Sequence, residues 1–274
     1  MKRCQKLGPL WIVTGSALKT LTESNLNELD MKNVVTVYEP VAKNTAPAVA
    51  MLAHLLVQRG MGAEVVAVFP SDHLIQNEKA FYNAVQAAET LAKQGQIVTL
   101  GIKPDHPATG YGYIQKDKST NRVLKFHEKP NLETAEKFVA AGDFFWNAGM
   151  FIFKAEVMLE KFKKLQPEMA QIISEAKADQ SNLSEVYSRV QSISLDYAIM
   201  EKLSPEELAC VPADMAWSDV GSWDAVAEVG AEQQKNKPME IQAKGNFVFG
   251  NDSKMYSFIG TDDLIVVDTA DAVM

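Results

Sequence analysis

The sequence predicts an α/β fold, and three features carry that prediction. Short apolar, β-branched runs alternate with segments of helical periodicity, the pattern of βαβ units. Prolines, glycines and capping residues punctuate the boundaries between them. The clearest run, Val65-Val66-Ala67-Val68-Phe69, has no polar interruption and leads into Pro70-Ser71-Asp72-His73. Such a run reads as a strand buried on both faces, as in a parallel sheet. Pro70 cannot donate to a ladder, so the strand should stop there. Asp72 then stands just past the carboxyl end of a central strand, the edge where open α/β sheets bind ligands.

The bulk properties narrow the function classes. The chain has 274 residues, enough for one large domain or a domain plus a smaller one. Its 27 basic and 35 acidic residues give a formal net charge of −8. That argues against nucleic acid as a partner, which calls for a basic surface. A phosphorylated small molecule needs only local positive charge and stays open. Cys4 and Cys210 form neither a disulfide framework nor a zinc cluster, so a reducing cytoplasmic compartment is expected. No apolar run approaches membrane-spanning length, and the N-terminus is no signal peptide. The chain enters a strand by Trp11-Ile12-Val13 and stops soon after Leu264–Val267. Truncation at one or both ends is the expectation.

In order, Leu10–Val13 is a strand, Leu18–Leu29 a weakly periodic helix and Val34–Tyr38 a second strand. Thr45 is the expected N-cap of a helix with Pro47 in its first turn; Val49, Leu52, Ala53 and Leu56 share one face, and Gly60 ends it. After Val65–Phe69, Asn77 caps a helix stopped by Gly95. Ile97–Ile102 is a strand. From Pro107 the pattern changes: Ala108–Ile114 reads as a glycine-interrupted strand, which often marks close approach of a ligand or another backbone. Val123–His127 is a strand, Leu132–Ala141 a helix closed by Gly142, and Phe144–Phe153 an aromatic strand with a polar break at Asn147. Helical segments divided near Pro167 run to about Arg189. Ser194–Glu201 reads as a short capped helix, and Ser222 caps a last helix. Gln233–Pro238 is a polar linker. Gly245–Gly250 and Leu264–Val267 are short strands at regular spacing that look like the start of a small all-β unit such as a β-helix, with no clear internal repeat.

Several residues suggest chemistry. Asp72 and Asp219 each sit at a turn among small residues. They either cap those turns, the commoner use of aspartate, or converge as the one or two carboxylates that Mg²⁺ takes beside water and phosphate oxygens. Glu128-Lys129-Pro130 sets opposite charges at a strand end, where neighbours should face opposite ways. It is either a solvated pair or a site for hydroxyls and a phosphate. Asn147, inside an aromatic run, must find partners for its amide, in backbone or in a polar ligand. Trp146, Trp217 and Trp223 are more readily core than stacking platforms, and His54 is packing.

Taken in order, Asn44-Thr45-Ala46-Pro47, Phe69-Pro70-Ser71-Asp72-His73, Gly110-Tyr111-Gly112-Tyr113-Ile114, Phe126-His127-Glu128-Lys129-Pro130, Trp146-Asn147-Ala148-Gly149-Met150-Phe151, Ser194–Glu201 and Trp217–Trp223 closely resemble the mannose-1-phosphate guanylyltransferase family of sugar-phosphate nucleotidyltransferases. The resemblance implies a Rossmann-like nucleotidyltransferase fold with a mixed, mostly parallel sheet. It implies a catalytic domain over 1–238 and the beginning of a C-terminal β-helix over 239–274, often an assembly surface and so compatible with a homo-oligomer. The implied reaction joins GTP and mannose 1-phosphate into GDP-mannose and pyrophosphate. Asp72 and Asp219 would hold Mg²⁺. Asn44 and Thr45 would lie near guanine, and Gly112 would let the sugar approach backbone. Glu128 and Asn147 would bind mannose hydroxyls, Lys129 the sugar phosphate, and Asp196 would belong to the substrate site with a less defined role.

One departure is plain. The family opens with a Gly-rich loop bearing an arginine and then a lysine, which cradle the triphosphate. Before Trp11 this sequence has only Gly8-Pro9 and scattered bases. The reading therefore assigns guanylyltransferase activity to the parent protein and expects little from residues 1–274 alone. The alternatives are a pyrophosphorylase for another base or sugar, and a non-catalytic sugar-nucleotide-binding or assembly subunit.

Overall fold

The computed structural model describes residues 2–230, 237–251 and 253–274. The chain runs α1 (Lys2–Gln5), β1 (Trp11–Gly15), α2 (Lys19–Glu28), β2 (Val35–Glu39), α3 (Thr45–Gln58), β3 (Val65–Val68), β4 (Leu74–Ile75), α4 (Glu78–Lys93), β5 (Ile97–Ile102), β6 (Tyr113–Lys116) and β7 (Val123–His127). It continues through α5 (Leu132–Ala141), β8 (Phe144–Lys154), α6 (Ala155–Leu165), α7 (Pro167–Ser174), α8 (Leu183–Arg189), α9 (Leu195–Ala198), β9 (Leu208–Pro212), β10 (Trp217–Ser218) and α10 (Trp223–Gly230). Four three-residue strands close it: β11 (Met239–Ile241), β12 (Phe247–Phe249), β13 (Ser257–Ile259) and β14 (Ile265–Val267). These elements divide into two compact units, Met1–Ser71 with Asn77–Met215, and Asp72–Gln76 with Ala216–Met274.

In the first unit the fold is organised around β8. Its eleven residues pair antiparallel with β3, β5 and β6, while β9 adds to β5 in parallel and β7 to β6 antiparallel. β1 and β2 form a separate parallel pair. The sheet is thus mixed, with helices on it. The strand Val65–Val68 departs from expectation: it lies antiparallel to β8 and is only partly buried. Its apolar run reflects packing with Trp11 and Val13 against Leu52 and Leu56 of α3. Helix α3 is buried on nearly every side, through Ala46, Val49, Ala50, Met51, Ala53 and Leu55 among others, so its sequence is apolar all round rather than striped. His54 packs as expected, its ring nitrogen 3.0 Å from the Ala176 carbonyl.

Two local expectations are corrected. Asn44, not Thr45, caps α3, accepting from the Thr45 amide at 2.8 Å. The Thr45 hydroxyl is instead engaged by the Leu195 amide at 2.8 Å. The strand expected over Ala108–Ile114 begins only at Tyr113, because the glycines on either side of Tyr111 fall in turn and loop. Strands Ile97–Ile102 and Val123–His127 and helix Leu132–Ala141 stand where the sequence put them.

The second unit includes Asp72–Gln76 because β4 pairs antiparallel with β10. Of the expected linker Gln233–Pro238, residues 233–236 lie outside the described residues. Beyond it, β11 pairs in parallel with β13 and β12 with β14. Partners lie 18 residues apart in every case: 257 against 239, 265 against 247, and 262 against 244 in the isolated bridge between them. Left-handed corners recur at the same interval, Gln242 with Gly260 and Gly245 with Asp263. This is one coil of a parallel β-helix stacked on the next, a repeat the sequence reading missed. Side chains at equivalent positions share little beyond apolar character, as at Phe247 and Ile265, and each rung is too short for strong periodicity.

Candidate active site

In the first unit, the ends of several elements bring Gly112, Glu128, Lys129, Asn147 and Asp196 together. Asn147 lies on β8, with its amide nitrogen donating to the Gly112 carbonyl at 2.8 Å. Its side-chain Nδ2 donates to Asp196 Oδ1 at 2.9 Å. Its Oδ1 accepts from the Thr99 hydroxyl at 2.9 Å and from the Gly149 amide at 3.2 Å. A β-carbon built on Gly112 would stand 2.6 Å from Glu128 Oε2 and 3.6 Å from Asn147 Cβ. The space left by the missing side chain is therefore filled by the chain's own carboxylate. Glycine is needed here for that close approach.

Glu128 and Lys129 do not alternate as strand neighbours would. β7 ends at His127, and Lys129 has φ +41°, a value uncommon outside glycine. This turn brings Lys129 Nζ within 3.9 Å of Glu128 Oε1. The two ends differ in setting: the Glu128 side chain is 12% exposed, that of Lys129 62%. Burial, and then the neighbouring charge of Asp196, push the Glu128 carboxyl up to about 7, against the pull of Lys129. Burial also raises the Asp196 carboxyl, with the Asn147 hydrogen bond opposing. Glu201, just beyond α9, adds to the negative field on both.

Asn44 and Thr45 are held by the same stretch of chain that leads into Asp196. The Ala46 amide donates to the Ile193 carbonyl at 3.2 Å, beside the Thr45–Leu195 contact. Lys43 Nζ donates to the carbonyls of Ser188 and Val190 at 2.8 and 2.5 Å. These contacts hold Asn44 at φ +68°, a costly conformation for a residue with a β-carbon.

In the second unit, Asp72 and Asp219 flank the β4–β10 ladder. Trp217 pairs with Ile75 and Ser218 with Leu74; Asp219 follows directly on β10, and Asp72 lies two residues before β4. Trp217 Nε1 donates to His73 Nδ1 at 3.1 Å, which makes that nitrogen the acceptor of a neutral ring. Burial lowers the His73 pKa, while the charges of Asp72 and Asp219 both work to raise it. The turn after Asp219 is tight: its Oδ1 accepts from Gly221 N at 3.2 Å, and Val220 has φ +52°, strained for a β-branched residue. Asp72 is exposed and Asp219 half-buried. Among the described residues no group of three or more His, Cys, Asp or Glu forms a metal cage. Carboxylates at the ends of one short ladder are of the oxygen type that a hard divalent cation takes while completing its shell with water and phosphate oxygens.

Three side chains of the first cluster went unassigned in the sequence reading. Thr99 is a lone hydroxyl in an apolar strand, which is itself the signal that could have found it. Glu201 lay inside a quoted motif without a role. Tyr197 feels the charges of Glu128, Glu201 and Asp196, which raise its pKa after burial. Of the tryptophans expected in the core, Trp146 is buried against His106 and Tyr111, Trp217 is only partly buried, and Trp223 is exposed, its ring 5.4 Å from Phe249.

A mixed sheet carrying such a cluster at its strand ends is the frame of a nucleotidyltransferase, and residues 2–236 match the nucleotidyl transferase family. The chain belongs to that family. It is 36% identical to the xanthan biosynthesis protein XanB of Xanthomonas campestris pv. campestris (strain B100), over 96% of this chain and 58% of that protein. It is 34% identical to mannose-1-phosphate guanylyltransferase 2 of Escherichia coli O157:H7, over 99% of this chain and 60% of that one. A crystal structure described as a mannose-1-phosphate geranyltransferase from Thermus thermophilus superposes with a TM-score of 0.86 at 26% identity, covering 100% of this chain and 82% of the other. The chain thus spans 58% and 60% of the length of these two curated relatives. At the level of family, the resemblance read from the motifs is borne out. Among the described residues no helix is long and apolar enough to cross a membrane.

Proposed function

We propose that the protein transfers GMP from GTP to mannose 1-phosphate, giving GDP-mannose and pyrophosphate. The observation that carries this reading is the convergence of Gly112, Glu128, Lys129, Asn147 and Asp196, in a chain whose relatives include proteins named for this reaction. Glu128 and Asn147 offer an acceptor and a donor to sugar hydroxyls. Lys129 offers its ammonium to the sugar phosphate and offsets the negative field of Glu128, Asp196 and Glu201. Asn44 and Thr45 serve the base. The phosphate oxygen of mannose 1-phosphate attacks the α-phosphorus of GTP, the α–β bridge breaks, and pyrophosphate leaves with the bond's electrons. No covalent enzyme intermediate is needed, so the residues act by positioning and charge. Asp72 and Asp219 would hold Mg²⁺, which when bound neutralises phosphate charge and polarises the reacting phosphoryl group. The free thiols of Cys4 and Cys210 suit a reducing compartment, the cytoplasm.

Pyrophosphate release by the full-length protein, assayed over a panel of nucleoside triphosphates and sugar 1-phosphates, tests this. Release should require Mg²⁺ and be fastest with GTP and mannose 1-phosphate. A faster pair would reassign base or sugar. Tight, Mg²⁺-independent binding of GDP-mannose without turnover would make the protein a binding or assembly subunit.

A further inference from the structure

We propose that Thr99 is a positioning residue that fixes the Asn147 amide so that it presents a single N–H to the sugar. The inference rests on Asn147 serving the sugar site and adds how its polarity is set. The Gly149 backbone amide can only donate, so the Asn147 atom it meets at 3.2 Å is the carbonyl oxygen. That fixes which way the amide points. The Thr99 hydroxyl, 2.9 Å from the same oxygen, must then donate its proton there. Both lone pairs of Oδ1 are now occupied. On the other side, Nδ2 spends one hydrogen on Asp196 Oδ1. What remains for a ligand is one N–H and no acceptor.

The backbone is built to make this arrangement. The β5–β8 register slips between Thr99 and Gly101, from Thr99 opposite Phe151 to Gly101 opposite Asn147. The slip is accommodated on β8 around Gly149, whose φ is +65°. That bulge folds the Gly149 amide back onto Asn147 and brings Thr99 to the side chain. Bulges commonly re-aim a side chain beside a site. Thr99 itself is completely buried in a strand of apolar residues, where a hydroxyl needs a partner. A sugar hydroxyl that accepts from the remaining Asn147 N–H keeps its own proton to give to the Glu128 carboxylate.

Thr99→Val keeps the volume and removes the donor; Thr99→Ser keeps the donor. Calorimetric titration of the full-length variants with mannose 1-phosphate, and separately with GTP, reads the effect. Thr99→Val should weaken mannose 1-phosphate roughly tenfold, the loss of about one hydrogen bond's worth of orientation, with GTP within about twofold. Thr99→Ser should restore sugar-phosphate affinity to within about threefold of the parent. Equal loss for both ligands together with a lowered melting point would mean a purely structural threonine and overturn the inference. So would unchanged mannose 1-phosphate affinity in Thr99→Val while Asn147→Ala abolishes it. If Asn147→Ala leaves sugar-phosphate affinity intact, it is the sugar-site reading that falls, and this inference with it.

Discussion

Glu128 and Asp196 occupy a sheltered setting, each within reach of other charges and one of them tied to Asn147. Asp72 and Asp219 flank a two-residue ladder, one exposed, the other in a tight turn. The difference teaches what each pair suits. Buried carboxylates whose orientation is fixed by neighbours can read the hydroxyl pattern of a neutral ring, because water cannot replace the missing partner of a wrong ligand. Carboxylates open to water suit a cation that keeps part of its hydration shell. The first pair should therefore govern sugar affinity and the second turnover.

The sharpest way to break that comparison is Asp219→Ala. If Asp219 holds the metal as proposed, its loss should cost several kcal/mol in the transition state, a fall in kcat on the order of a thousandfold. Calorimetry of mannose 1-phosphate should meanwhile move by less than about twofold. A parallel fall in sugar affinity would show the two pairs are not separable. Next in size, Gly112→Ala should push the Glu128 carboxylate out of the space it now fills. Because the displaced atom ends a flexible side chain, melting should change little. Affinity for mannose 1-phosphate should drop roughly tenfold or more, the loss of one charged hydrogen bond.

The smallest effect concerns stability. The Glu128 carboxyl is raised from its ordinary 4.5 to about 7 in the folded protein. Its contribution is fully present below the ordinary value and is lost as pH rises through about 7. Glu128→Gln should therefore stabilise the protein at pH 8 by about 1–2 kcal/mol, after allowance for solvent that still reaches the group. Denaturant titrations of the two proteins should converge below about pH 5. A difference that persists at pH 4.5 would argue for packing rather than charge.

The residues that gather around Gly112 were legible as a group because they are locally odd. An amide in an aromatic strand and a charged pair at a strand end each stand out against what secondary structure alone requires. Thr99 shows in the sequence only as a lone hydroxyl in an apolar strand, and its partner Asn147 lies across a bulge that no spacing in β5 announces. Val65–Val68 misled for a related reason. An apolar run reports burial in general, and cannot say whether the cover is a parallel neighbour or an antiparallel strand and a helix. The 18-residue coil went unseen because its signal lies in paired left-handed corners, at residues as unlike as Gln242 and Gly260.

Strand β8 has a consequence for how the molecule opens. It is paired along one edge with β3 and β6 and along the other with β5, with Ala67 and Val98 both opposite Ile152, and Tyr113 and Ile102 both opposite Trp146. Freeing it requires several ladders of long sequence separation to part together, so its amides should exchange with solvent among the slowest in the chain, at rates set by cooperative unfolding rather than local fraying. Asn147 rides on that strand. The donor that the proposed function assigns to the sugar would thus be anchored in the part of the first unit expected to give way last, whatever the loops around it are doing.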